Sequence, residues 1–155
     1  AYEIVKILHI LGAAVLFGTG LGIAFFMLVA DRRGDIAGIV ATTRIVVLAD
    51  FLFTATAAVL QPITGAALVE LTGGSFGDSW VAASLLLYVV IGACWLPVVS
   101  LQMRIRDLAV AAQRTNQPLP DAYHRLMHIW FLLGWPAFIA ILAIFVLMVA
   151  KPVLW

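Results

Sequence analysis

The side chains that could do chemistry in this chain are an acid set in apolar sequence, three histidines and one cysteine. Asp50 is the acid. Thr54, Gln61 and Thr64 follow it at helical spacing, which predicts a polar stripe on one face of a helix. Ser84, Tyr88, Trp95 and Gln102 make a comparable stripe further on. Two such stripes facing each other would form a polar interior, suited to a proton path or a ligand cavity. The same residues equally suit hydrogen bonding between helices, with Asp50 paired to Arg44, Arg104 or His128.

The histidines suggest a different chemistry. His9 shares a helical face with Gly12, Ala13, Leu16 and Gly20. Small neighbours leave room for a planar ring system, and a neutral imidazole is a common axial ligand of haem iron. They also suit a closely packed neighbouring helix. Met148 and Lys151 are the available second ligands at the matching end of the chain's last apolar stretch, and Tyr88 joins the candidate cofactor-binding set. His124 and His128 stand four residues apart and share a face, so they are a candidate metal pair. Between them Arg125, Leu126 and Met127 supply neither a third ligand nor a general base. His9 and His128 fall at opposite ends of a core about 30 Å thick, so they cannot clamp one iron. Cys94 has no base beside it in sequence and reads as a packing residue. No nucleophile elbow, phosphate loop or dinucleotide fingerprint occurs.

The elements that must position these groups follow from composition. Of 155 residues 65% are hydrophobic and 11% charged, against roughly 25% charged in a soluble domain. Too little polar surface remains to cover a water-soluble fold of this size. Four apolar stretches, about 4–29, 43–69, 79–103 and 126–150, each exceed the roughly 20 residues that span a hydrocarbon core. Without water to satisfy the backbone they must be helical. The expectation is one all-α domain over 1–155, a four-helix transmembrane bundle. The first stretch has no basic region before it and reads as a retained helix rather than a signal peptide. Pro62, Pro97 and Pro136 should kink the other three helices and free carbonyls that need partners in the bundle. Gly18-Thr19-Gly20-Leu21-Gly22 contains a GxxxG pair suited to close helix packing, and Asp121 is placed to cap the last helix.

Loop charge gives the orientation. Arg32, Arg33, Arg44, Arg104, Arg106, Arg114 and Arg125 lie at one end, and Lys6 and Lys151 at the other. Both termini are therefore expected on the non-cytoplasmic side. Tyr2, Trp80 and Trp155 fit the interface there. A net charge of +1 without a basic stripe argues against nucleic acid. The partners expected are the lipid bilayer and, beyond it, other membrane subunits or further copies of the chain.

The segments Lys6-Ile7-Leu8-His9-Ile10-Leu11-Gly12, Cys94-Trp95-Leu96-Pro97-Val98-Val99 with Leu101-Gln102-Met103-Arg104, Tyr123-His124-Arg125-Leu126 and Leu147-Met148-Val149-Ala150-Lys151-Pro152 together resemble a bacterial family of four-helix integral membrane proteins of uncharacterised activity. That resemblance covers essentially the whole chain and implies the architecture and a bacterial inner membrane. The Leu-His-Ile start of the first helix also resembles haem-dependent membrane protoporphyrinogen oxidase and the copper-resistance membrane proteins. On that likeness His9 matches a haem-ligating histidine. The oxidase's lysine shortly after a tryptophan has no counterpart in Trp80-Val81-Ala82-Ala83-Ser84, so the resemblance implies haem b at His9 and leaves the reaction open. Three functions are thus expected as alternatives: a haem-binding electron-transfer protein or oxidoreductase, an accessory subunit of a larger membrane complex, and a transporter or proton-path component using Asp50.

Overall fold

The computed structural model describes residues 1–155 and is helical throughout, without strands. α1 spans Tyr2–Arg33, α2 Ile36–Ala49 and α3 Ala55–Leu71, with a π-helical turn over Asp50–Thr54 joining the last two. α4 spans Ser79–Thr115 and α5 Asp121–Ala150. Four helical rods result, because α2, the π turn and α3 run on as one span, Ile36–Leu71; all four are long and apolar enough to cross a membrane.

Local chemistry sets the ends. Gly34 closes α1 in the left-handed region at φ 67, where it sends its N–H back to Ala30 and Asp31. The next residue but one begins α2, capped by Asp35, whose carboxylate accepts from the Gly38 N–H at 2.9 Å and the Ala37 N–H at 3.3 Å. Asp121 makes no such cap: Pro120 occupies the cap position, and Asp121 stands in the first turn of α5. There its negative charge still suits the helix N-terminus.

The helices outrun their apolar stretches. The polar segment after Met103 stays helical to Thr115, and 116–120 alone separates α4 from α5. Its apolar face explains this, since Ile105, Ala109 and Ala112 are buried while Arg104 and Arg114 are exposed. Ile105 and Ala109 join Ile23, Met27, Ile39, Val40, Val46, Tyr123, Met127 and Trp130 in a compact core at the arginine-rich end.

Away from that core the bundle divides. α1 packs along α3 and α4 along α5, while α3 and α4 separate. α1 meets α5 through Phe17, whose ring centroid lies 5.7 Å from both Phe138 and Phe145. At the end carrying the termini, Ser79 Oγ accepts from the Leu154 N–H at 2.8 Å and donates to Pro152 O at 3.3 Å, which fastens the C-terminal segment to the start of α4. Lys151 Nζ sits 5.2 Å from the centroid of Trp80.

Small residues and a proline mark the close approaches. A Cβ at Gly12 would collide with Gln61 Nε2, and one at Gly65 would come within 3.3 Å of the His9 ring. The GxxxG pair behaves otherwise: Gly18 has nothing within 4 Å and Gly22 meets only Phe26 of its own helix. Helix packing on α1 therefore uses Gly12, not that motif. Pro62 has no N–H for the Ala58 carbonyl one turn earlier. Tyr88 from α4 donates its hydroxyl to that carbonyl, bridging the two helix pairs where their backbones part.

Candidate functional site

Asp50 opens the π turn and is 3% exposed. Two features bring it to the bundle interior. It continues the buried face of α2 formed by Thr43, Val46 and Val47, and the turn's long-range bond, Ala55 N–H to Asp50 O, widens the helix at that point. Trp95 of α4 donates its indole N–H to Asp50 Oδ1 at 3.4 Å. Thr54 and Gln102 also adjoin the carboxyl, without closing a well-formed hydrogen bond to it. Thr54 is 8% exposed and Gln102 2%. Asp50 Oδ2, Thr54 Oγ1 and Gln102 Oε1 are buried and meet no protein partner.

No cation accompanies Asp50. Arg44, Arg104 and His128 are all exposed, and the chain's one salt bridge joins Arg106 to Asp107. The pairing that sequence allowed is therefore absent, and the carboxyl is faced by neutral groups alone. An unsatisfied buried polar group costs about 1–3 kcal/mol, and ionisable groups at membrane depth are costly and mark function. Three unpartnered buried oxygens, one of them the carboxyl's own Oδ2, make this cluster the candidate site.

The expected single stripe is divided. Asp50 faces Trp95 and Gln102 on α4, whereas Gln61 and Thr64 face α1. The π turn is the cause, because its extra residue turns α3 relative to α2 by up to roughly 100°. The α4 stripe holds for Tyr88, Trp95 and Gln102, all directed at the second span; Ser84 instead donates to Trp80 O of its own helix at 2.7 Å.

Gln61 and Thr64 serve His9. Gln61 Nε2 donates to the His9 carbonyl at 2.9 Å, and His9 Nδ1 lies 2.8 Å from Thr64 Oγ1. Thr64's hydroxyl hydrogen is committed to the Leu60 carbonyl at 2.8 Å. With its hydrogen on that carbonyl the hydroxyl accepts from Nδ1–H, the tautomer in which the Nε2 lone pair is free. Gly12 receives Gln61 and Gly65 receives the imidazole, so α3 fills the Gly12 end of this small-residue face, while Gly20 has nothing within 4 Å.

The second-ligand candidates separate. Phe17 meets Phe138 and Phe145, so moving about 12 Å outward from there, eight residues at 1.5 Å each, brings His9 level with the segment 146–153, which includes Met148. Met148 is half-buried. Lys151 is exposed and lies over Trp80, and the Tyr88 hydroxyl is taken by Ala58. His124 and His128 are both exposed, and no group of three or more His, Cys, Asp or Glu side chains is placed to hold a metal. Cys94 is free and half-buried.

A family model described as a predicted integral membrane protein, DUF2269, matches residues 3–152. The chain belongs to that family. Neither curated proteins nor solved structures gave a match. Membership fits the four membrane-length helices and brings no activity with it, so the chemistry of this DUF2269 protein rests on its own residues. Sequence reasoning named Asp50, Thr54, Trp95 and Gln102 but missed the π turn that gathers them, since nothing in Asp50-Phe51-Leu52-Phe53-Thr54 departs from an ordinary apolar helix. Gly65 as the seat of His9 was missed as well. Its signal was a small residue next to Thr64 in the same span.

Proposed function

We propose that this membrane protein carries a proton-exchanging site centred on Asp50 and serves as a proton-path component. The observation that carries the reading is a buried carboxyl with neutral neighbours and no cation, set on a π turn at membrane depth. A carboxyl so placed can take up and release a proton without disrupting an ion pair. Trp95 N–H holds one oxygen, while Thr54 and Gln102 supply polar groups that suit either charge state. The role of Trp95 and Gln102 is to position and solvate the carboxyl, in place of water.

Proteoliposomes enclosing a pH-sensitive dye test this. An imposed proton gradient should dissipate faster through wild-type vesicles than through vesicles carrying Asp50→Asn, which keeps the shape and removes the exchangeable acid. The reading fails if the two variants, reconstituted to equal density, dissipate the gradient at the same rate.

A second reading is haem b at His9, supported by the free Nε2 and the Thr64 bond that orients the ring, the outer hydrogen bond typical of metal-ligating histidines. The filled face at Gly12 and Gly65 requires a haem to approach from the α5 side, where Met148 is level with His9. Bound haem would supply electron-transfer chemistry. Purified protein should then show a Soret band that disappears in His9→Ala and weakens in Thr64→Val. Protein from haem-replete cells without a Soret band excludes it.

A further inference from the structure

Where the apolar part of α4 ends and that of α5 begins, the two helices leave a groove of about 540 Å³ lined by Arg104, Asp107, Leu108, Ala122, Arg125 and Leu126. That volume lies within the range of small-molecule sites. Its depth in the membrane follows from sequence. Arg104 comes directly after the apolar stretch ending at Met103, and Leu126 opens the last apolar stretch. The groove therefore straddles the level where hydrocarbon gives way to phosphate.

Its charges are unbalanced. Arg106 holds Asp107 Oδ1 through both Nε and Nη2 at 2.9 Å, so the carboxylate in the groove wall already has a cationic partner. Arg104 and Arg125 are exposed and join no salt bridge. Two free guanidiniums, one from each helix, thus stand over walls of Leu108, Ala122 and Leu126. Guanidinium forks match phosphate oxygens, and basic pockets between transmembrane helices hold acidic lipid head groups. We propose that this groove binds the phosphate of an anionic phospholipid, with the glycerol against the leucines and the acyl chains continuing along the apolar helix surfaces. The apolar walls and the boundary position favour a lipid over a free anion, which has no use for either.

Native mass spectrometry of the purified chain in neutral detergent tests this, with phosphatidylglycerol and phosphatidylcholine of identical acyl chains supplied in equal amounts. Phosphatidylglycerol should be retained in preference. Arg104→Gln with Arg125→Gln should weaken that retention about twenty-five-fold, roughly fivefold for each arginine. Arg32→Gln with Arg33→Gln removes the same charge from the same end and should leave retention nearly unchanged. All four side chains are exposed, so the fold tolerates both pairs; Arg104→Lys with Arg125→Lys should restore part of the binding. Equal retention of the two lipids overturns the proposal. So does an equal loss in both glutamine pairs, which would mean diffuse charge and not a groove. Displacement of the lipid by excess inorganic phosphate would identify a free-anion site and also overturn it.

Discussion

At the residue scale, Tyr88, Gln61 and His9 find partners on a neighbouring helix, whereas Asp50, Thr54 and Gln102 gather oxygens without one. Tyr88 illustrates the first kind. Its hydroxyl completes the Ala58 carbonyl, which lacks its helical partner because residue 62 is proline. Tyr88→Phe strands that carbonyl and should lower stability by about 1–3 kcal/mol. Pro62→Ala restores an N–H one turn along, so the double variant should recover much of the loss, as denaturation in detergent would read. Equal losses in Tyr88→Phe and the double variant would show that Tyr88 acts otherwise than through this carbonyl. The sequence foretold that the prolines would free carbonyls needing partners; it gave no means of choosing Tyr88 over Thr54 or Gln61, because the choice depends on the angle at which α3 leaves α4. Asp50 is the second kind. Its isolation from Arg44, Arg104 and His128 was equally beyond the sequence, which does not say which way those side chains turn; all three are exposed in the folded bundle.

At the element scale, the π turn decides which chemistry is possible. A continuous α-helix would bring Asp50, Thr54, Gln61 and Thr64 to one face. The turn instead gives Asp50 to α4 and Gln61 and Thr64 to α1. Deleting Leu52, an exposed residue in the turn, should restore a regular helix and swing α3 by roughly 100°. Gln61 and Thr64 would then lose both bonds to His9, at a cost of about 2 kcal/mol for the pair, and the change would appear as a lower melting temperature with helix content retained by circular dichroism. An unchanged melting temperature would mean that α3 is not held to α1 by these bonds. Helix boundaries were the less legible feature. Hydropathy locates the apolar stretches but not the helix around them, so the arginine-bearing extension of α4 read as a polar connection until its buried face of Ile105, Ala109 and Ala112 was evident.

At the scale of the whole molecule, the architecture was the most legible part, because four long apolar stretches with polar connections admit few arrangements once the backbone must satisfy itself in lipid. What composition could not convey is the uneven packing. An apolar core closes the arginine-rich end, while the two helix pairs part toward the termini, with Tyr88 and Phe17 spanning the gap. Asp50 lies between the closed and the open parts, where a group that exchanges protons must be sheltered from lipid and still reachable. The most direct measurement of that claim is infrared difference spectroscopy of the protein in lipid, titrated by pH and compared with Asp50→Asn. A carboxylic C=O band that rises and falls with pH in the wild type and is missing from the variant is the expected result. Difference spectra that superimpose across the whole pH range would contradict it.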